Sequence, residues 1–190
     1  MEYSYKFRLY PTKTQEQQIQ RTFGCCRYLW NHYLAQRKAV YEVDGRTMNY
    51  YECSKDLTAL KKSLTWLKEV DATALQSSLR DLDTSFKNFF RRVKNGEKPG
   101  YPKFKSKKNQ HQSYKSKCVG TNIKVLDKAV QLPKLGLVKC RISKEVKGRI
   151  LSSTVSQNSS GKYFVAINCT DVEMEPLSST GAVVGLDMGL

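Results

Sequence analysis

The hydrophobic pattern of this chain changes period once, near Cys118, and this change limits the fold to a helical part followed by a β part. Before that point, apolar residues recur every three or four positions along three stretches, as they do in amphipathic helices. After it, they alternate in about five short runs separated by turn residues, which predicts strands. A further alternating run from Tyr3 to Leu9 precedes the helices. We therefore expect an α+β protein.

The three predicted helices have clear beginnings. Thr12 with Gln15, and Asn49 with Glu52, have the spacing of capping boxes at the first two helices. The third helix is predicted to begin near Asp71 and to stop at Asn95-Gly96. Helical spacing assigns four aromatic residues to the helical core rather than to base stacking: Trp30, Tyr33, Phe86 and Phe89.

The β part resembles a small barrel of the oligonucleotide-binding kind, because it has five short strands and a basic exterior. The strand at residues 3–10 has no β partner nearby in sequence, so we place it in the same barrel. The helices then form an insertion between the first strand and the rest. Residues 173–181, rich in Ser, Pro and Gly, predict a linker.

The charge of the chain favours a polyanion as partner. It carries 33 Lys and Arg against 17 Asp and Glu, which gives a formal net charge of +16. A nucleic acid is the leading candidate for this partner, and an anionic membrane is the alternative. No apolar stretch approaches the roughly 20 residues of a spanning helix, and the N-terminus does not read as a signal peptide. We expect a soluble, cytoplasmic protein that binds nucleic acid and no membrane.

Basic residues concentrate between Phe86 and Cys118, where eleven Lys and Arg stand against the single acid Glu97. Tyr101, Phe104 and Tyr114 interleave with them, and such aromatics suit stacking on unpaired bases while cations hold phosphates. The alternative is a solvated, partly disordered linker. The aromatic interleaving favours the contact.

The cysteines do not indicate a metal site. None of the six forms a C-x-x-C pair, and neither His32 nor His111 lies at ligand spacing from a cysteine. We expect no zinc site within these residues, and reduced, mostly buried thiols.

The last residues, 182–190, predict a buried strand that carries Asp187. An apolar run ending in Asp-x-Gly is how a nuclease of the ribonuclease H type often begins its catalytic sheet, with the Asp as a ligand for Mg²⁺. The alternative is a strand that leads into a turn. The metal chemistry needs two or three further carboxylates, and only three residues follow Asp187.

Six motifs occur in the order seen in TnpB proteins, the transposon-encoded RNA-guided DNA nucleases related to miniature type V CRISPR effectors. With Gly185-Leu186-Asp187-Met188-Gly189 at the end, they cover essentially the whole chain, and the chain resembles the N-terminal half of that family. The six motifs are Phe7-Arg8-Leu9-Tyr10-Pro11-Thr12, Arg27-Tyr28-Leu29-Trp30-Asn31-His32-Tyr33-Leu34, Leu75-Gln76-Ser77-Ser78-Leu79, Phe86-Lys87-Asn88-Phe89-Phe90, Gly100-Tyr101-Pro102-Lys103-Phe104-Lys105 and Leu132-Pro133-Lys134-Leu135-Gly136.

The resemblance implies a wedge barrel interrupted by a helical recognition domain and followed by a RuvC-type nuclease domain. Asp187 aligns with its first catalytic carboxylate, which holds Mg²⁺ in the complete protein. A complete family member continues for about as long again, with two more acidic residues and a zinc-binding insertion. We therefore expect no cleavage by this chain alone. The implied divisions are 1–11 (first wedge strand), 12–95 (recognition domain), 96–118 (basic connector), 119–172 (rest of the wedge), 173–181 (linker) and 182–190 (start of the nuclease domain).

The resemblance also implies roles for individual residues, with guide RNA and target double-stranded DNA as partners. A short DNA motif beside the target is read around Tyr50, Ser54, Thr73, Gln76, Thr121 and Asn122. The backbone of guide RNA or heteroduplex is held by Arg91, Arg92, Lys103, Lys105, Lys107 and Lys108. Alternatively, Thr73 and Gln76 merely occupy an exposed first helical turn.

Two functions stay open at this point. The chain is either the nucleic-acid-binding half of an RNA-guided endonuclease, inactive alone, or a nuclease-dead regulator or basic RNA-binding protein. Conventional transposase chemistry is disfavoured, because the resemblance points to a nuclease.

Overall fold

The computed structural model describes residues 1–109, 111–173 and 185, and it shows the predicted α+β organisation. Strand β1 (Tyr3–Tyr10) is followed by helices α1 (Lys13–Asp44), α2 (Tyr50–Ser63) and α3 (Ala72–Lys94), with a short 3₁₀ helix (Thr65–Lys68) between α2 and α3. Six further strands follow: β2 (Gln112–Lys117), β3 (Lys124–Leu126), β4 (Ala129–Leu132), β5 (Gly136–Arg141), β6 (Arg149–Gln157) and β7 (Tyr163–Thr170).

The helix beginnings are those predicted from the capping residues. The Thr12 hydroxyl accepts from the backbone N–H of Gln15, whose side chain accepts from the N–H of Thr12. Asn49 and Glu52 form the same reciprocal pair before α2. The carboxylate of Asp71 caps α3. These bonds satisfy N–H groups that have no partner inside the helix.

The strands form one antiparallel sheet in the order β2-β6-β7-β1-β5-β4-β3. Strand β1 lies in its middle, paired with β7 along seven positions and with β5 along three. The first strand of the chain therefore joins the strands that follow residue 118, with the helices between them in sequence. The domain boundaries stay predictions.

The expected closed barrel is not found. Among the described residues, no ladder joins the outermost strands β2 and β3, so the sheet is open. Helix α3 packs against β2, and the backbone N–H of Lys117 on β2 donates to the hydroxyl of Thr73 on α3. A helix thus covers this edge, which is another way of protecting an edge strand.

Strand β2 was not predicted, because it lies within the segment taken as the basic connector. Its pattern contains one apolar residue, Tyr114, and its other buried residue is Ser116. Pairing with β6 defines this strand, with Tyr114 opposite Val155. A sequence pattern cannot reveal a strand whose inward residues are so weakly apolar.

The core is continuous between the helices and the sheet. Helices α1 and α3 pack together, and the ring of Phe23 meets that of Tyr114 edge to face at 5.7 Å. Trp30, Tyr33 and Phe86 are buried, as predicted. Phe89, also predicted to be core, is half-buried at the edge of the same cluster.

The cysteines are six unpaired thiols, five of them buried, as predicted. Burial raises the pKa of Cys25 to about 11 and that of Cys26 to about 12. Thiols with such pKa values stay protonated and unreactive at neutral pH.

None of the described helices is long and apolar enough to cross a bilayer.

Candidate nucleic-acid interface

The basic connector is attached to helix α1 over residues 103–105. The indole N–H of Trp30 donates to the carbonyl of Lys103 at 2.9 Å. The side chain of Asn31 accepts from the N–H of Lys105 at 2.8 Å and donates to its carbonyl at 2.9 Å. Because two consecutive α1 side chains hold the backbone here, this part of the connector is an ordered segment and not the solvated linker that was the alternative.

The connector lysines differ in their surroundings. The ammonium group of Lys105 lies 3.9 Å from the centre of the Trp30 ring, and burial against α1 lowers its pKa. Lys103, Lys107 and Lys108 extend from the same segment as exposed side chains. The attachment at Lys103 and Lys105 therefore places the start of a short row of cations on a fixed backbone.

The other predicted backbone-binding residues follow the end of α3. Arg91 and Arg92 are exposed in its last turn, and Arg91 forms a partly exposed ion pair with Glu97 at 3.8 Å. Such an exposed pair is weak and opens at little cost. Both arginines thus stay accessible to a phosphate.

The three aromatic rings of the connector are not equivalent. Tyr101 packs edge to face on Phe86 and Phe89, at 5.7 and 5.3 Å. Tyr114 is buried against Phe23, so the expectation that it stacks on a base is wrong. Phe104 is 60% exposed. Of the three, Phe104 has the most ring surface for stacking.

Two of the predicted motif-reading residues meet at Lys117 on β2. The Thr73 hydroxyl donates to the Asp71 cap and accepts from the N–H of Lys117 at 2.9 Å. The side chain of Asn122 donates to the carbonyl of Lys117 at 3.2 Å and accepts from the N–H of Val119 at 2.8 Å. Both side chains thus help to hold the end of β2. Thr121 is exposed beside Asn122.

The remaining predicted residues lie along one exposed face of α3 and on α2. Thr73 and Gln76 occupy the first turns of α3, and Arg80 follows one turn after Gln76. The guanidinium of Arg80 lies 4.4 Å from the centre of the Tyr50 ring on α2. Ser54 is half-buried one turn after Tyr50. The face of α3 thus connects the Tyr50 region with the Lys117 region.

A cleft of about 270 Å³ opens between the start of α2 and α3. Tyr50, Tyr51, Arg80 and Lys87 line it, and Tyr51 is 78% exposed. Sequence reasoning missed Arg80 and Tyr51. The available signal was the exposed position of Arg80, one turn after Gln76 on the same helix face.

The side chain of Asp81 on α3 is accessible to solvent. Partial desolvation raises its pKa, while the charges of Lys105 and Lys115 act in the opposite direction. Asp187, the predicted catalytic and metal-binding residue, lies outside the described residues. Within the part of the chain that the structure describes, no three His, Cys, Asp or Glu side chains form a group that could hold a metal ion.

Comparison with known proteins identifies the class to which this chain belongs. Residues 1–46 match the helix-turn-helix domain of the OrfB/IS605 type. In this structure the span contains β1 and the single helix α1, so the match identifies the class rather than a local helix-turn-helix geometry.

Three known proteins resemble the chain. It is 32% identical over 98% of its length to "Putative RNA-guided DNA endonuclease InsQ" of Escherichia coli K12, and 33% identical over 98% to "Putative RNA-guided DNA endonuclease" of Streptomyces pristinaespiralis. "Virulence protein VsdF" of Salmonella dublin is 31% identical over 45% of the chain and 79% of its own length. The chain belongs to the TnpB family. The chain spans 45% of the length of the Escherichia coli relative and 46% of the length of the Streptomyces pristinaespiralis relative.

Proposed function

We propose that these 190 residues bind guide RNA and target DNA as the N-terminal part of a transposon-associated, RNA-guided DNA endonuclease. The observation that carries the proposal is the connector segment at residues 103–108: Trp30 and Asn31 hold its backbone at Lys103 and Lys105, and Lys103, Lys107 and Lys108 are exposed. A fixed row of cations binds a phosphate backbone without reading sequence. The relatives supply the nucleic acids concerned, since both names specify RNA-guided DNA cleavage.

The exposed face of α3 is proposed to contact the DNA motif beside the target. Gln76 has the donor and acceptor pair that reads adenine, and Arg80 beside Tyr50 supplies a cation for a phosphate. Thr121 and Asn122 contact the same DNA from the end of β2. Thr73 contributes indirectly, because its hydroxyl accepts from the N–H of Lys117 and so fixes the end of β2.

Asp187 is proposed as the first Mg²⁺ ligand of a RuvC-type nuclease site, with the open sheet serving as the wedge domain. Hydrolysis by two metal ions needs carboxylates on both sides of the scissile phosphate. One Asp holds Mg²⁺ only weakly, because the ion keeps most of its waters. The 190-residue polypeptide should therefore bind nucleic acid without cleaving it.

Binding is tested by fluorescence anisotropy with a labelled 20-nucleotide RNA and a labelled 20-base-pair DNA. Replacing Lys103, Lys107 and Lys108 together by Ala should weaken RNA binding by at least tenfold. The matched control replaces Lys55, Lys62 and Lys68, which are exposed elsewhere and remove the same charge. Equal losses in the two triple variants would reject the connector as a binding site, and no binding by the wild-type chain would reject the function.

Catalysis is tested with the same RNA, a matching DNA target and Mg²⁺. We expect no cleavage by the 190 residues, and cleavage by a fusion that continues them with the C-terminal part of the Escherichia coli relative. Asp187→Ala in the fusion should abolish cleavage while leaving RNA binding unchanged. Cleavage by the 190 residues, or by the Asp187→Ala fusion, would contradict the assignment.

A further inference from the structure

The sheet has a basic side that the proposed contacts do not use. On β1, Tyr5, Phe7 and Leu9 are buried, while Ser4, Lys6, Arg8 and Tyr10 alternate with them on the other side. We name this second side the outer face. Directly opposite residues of antiparallel strands share a side, so the register places Phe164 on the outer face beside Arg8, and Arg141 on the other flank of Arg8.

The strands that form the outer face are basic, and the carboxylates near them, Asp171 beside Arg149 and Asp81 near Lys115, lie outside the strands. None of the seven described strands contains Asp or Glu. Six basic residues point outward from three strands: Lys6 and Arg8 on β1, Lys139 and Arg141 on β5, and Lys115 and Lys117 on β2. Among the described residues, none of these six forms a salt bridge. The outer face is therefore complementary to a polyanion.

The arrangement is unfavourable for the isolated fold. Arg8 and Arg141 are direct cross-strand partners, and like charges in this register repel each other. The Nε atom of Arg8 is buried without a hydrogen-bond partner among the described residues. The repulsion between the two arginines and the unpartnered Nε atom of Arg8 indicate that this part of the sheet favours the binding of an anion over maximal stability.

Aromatic rings lie among these cations. The Lys6 ammonium and the Arg8 guanidinium are 5.0 and 5.3 Å from the centre of the Phe164 ring. Arg8 is also 5.5 Å from the ring of Tyr10, which is 46% exposed. Phe164 is half-buried on β7, in the middle of the sheet. The hydroxyls of β6 lie beside Phe164 on the same face. In proteins that bind single strands, such exposed rings stack on unpaired bases while neighbouring cations hold the phosphates.

We infer that the outer face binds a single-stranded segment of RNA, with a base stacked on Phe164 and phosphates held by Lys6, Arg8 and Arg141. This rests on the proposed function, which supplies RNA as partner, and it adds a second surface distinct from the connector lysines at residues 103–108. A duplex would leave the two rings without a base, because paired bases are not available for stacking. The hydroxyl and amide groups of Ser4, Thr154 and Asn168 suit the 2′-OH of RNA.

The first test compares ring variants with a labelled 12-nucleotide RNA, a DNA strand of the same sequence and the corresponding RNA duplex. Phe164→Leu, which keeps an apolar side chain, should weaken binding of single-stranded RNA by about tenfold, and Phe164→Tyr should restore it. Tyr41→Leu replaces an exposed ring on α1 and should change nothing. Circular dichroism checks that each variant is folded.

The second test uses Arg141→Gln, which removes one cation of the repelling pair. We expect weaker RNA binding, a salt dependence reduced by about 0.7 in slope, and a melting temperature that is unchanged or higher. A purely structural role for Arg141 would instead lower the melting temperature and leave the RNA affinity unchanged.

The outcomes separate the two proposals. RNA binding that is lost in the connector variant but unaffected by Phe164→Leu overturns this inference alone. Equal affinity for single-stranded DNA overturns the assignment to RNA, and equal affinity for the duplex overturns the stacking. A dimer that Phe164→Leu dissociates would assign the face to a second copy of the chain and would also overturn it.

Discussion

Arg37 is a charged side chain buried within the helical part, and its neighbours show why it is tolerated there. Its guanidinium donates to Asp83 at 2.9 Å and lies 4.9 Å from the centre of the Phe86 ring. Lys87 approaches the other oxygen of Asp83 at 3.0 Å. A buried cation needs such a partner, because an unpaired charge away from water is costly.

The first prediction concerns this ion pair and its pH dependence. Burial acts to raise the pKa of Asp83, but hydrogen bonds from Arg37 and Lys87 outweigh it, so its pKa lies below the ordinary 3.8. The pair therefore stabilises the fold above about pH 4 and loses this effect as pH falls through the lowered pKa. Asp83→Asn should cost about 3 kcal/mol at neutral pH.

Urea unfolding at pH 7 and pH 3 measures the effect, and the difference between wild type and Asp83→Asn should shrink at pH 3. Glu42→Gln is the control, since it breaks an exposed pair with Lys38 and should change stability by less than about 0.5 kcal/mol. A difference that grows at low pH would contradict the assigned sign.

The second prediction concerns Gly148, before β6. Its φ is +83°, and a Cβ there would lie 2.3 Å from the carbonyl oxygen of Thr170. Gly148→Ala should cost about 3 kcal/mol, because a left-handed backbone conformation and a clash with backbone atoms combine. Gly161→Ala, at φ +74° with no heavy atom closer than 3.9 Å, should cost about 1 kcal/mol. Thermal or urea unfolding compares them, and equal costs would show that the clash is relieved.

At the scale of elements, the connector depends on α1 rather than on its own sequence. Trp30 and Asn31 are adjacent on the helix and hold Lys103 and Lys105 through backbone groups. The backbone bonds formed by Asn31 resemble those of a neighbouring β-strand. Two side chains of α1 therefore give this lysine-rich segment a defined path.

The third prediction tests that attachment. Asn31→Ala removes the acceptor of the Lys105 N–H and should increase hydrogen exchange at this amide by about tenfold, with a stability loss of about 1 kcal/mol. Asn31→Asp keeps an acceptor oxygen, so the Lys105 amide should remain protected while the bond to its carbonyl is lost. Exchange measured by NMR distinguishes the variants. Unchanged protection in Asn31→Ala would mean that the connector is held by other contacts.

At the scale of the whole molecule, the net charge of +16 is unevenly distributed. The connector, the end of α3 and the outer face of the sheet collect cations, while the seven strands in the described part of the chain contain no acid. Long-range attraction of nucleic acid is therefore a property of the folded chain and not of one motif.

The fourth prediction follows from this charge. If six or more phosphates are neutralised, affinity for a 20-base-pair DNA should fall by about a thousandfold between 50 and 200 mM salt. Anisotropy titrations across that range measure the slope, with an equally sized uncharged peptide nucleic acid duplex as control. An affinity that is constant across the range would show that phosphate contacts do not drive binding.

The sequence by itself determined the helices, the helix caps and six of the seven strands. These depend on local information: an Asn or Thr side chain reaches only its own first turn, and an alternating run buries one face wherever the strand is placed. The TnpB family was also recognisable, since its motifs are short and ordered along the chain.

Only the tertiary structure decided how these elements meet. Strand β2 exists because β6 pairs with it, Tyr114 is buried because Phe23 reaches it, and the sheet is open with α3 packed against β2. The alignment of Arg8 with Phe164 and Arg141 joins residues more than 130 positions apart. Such contacts depend on strand register and packing between distant segments, and no local pattern of apolar and polar residues encodes them.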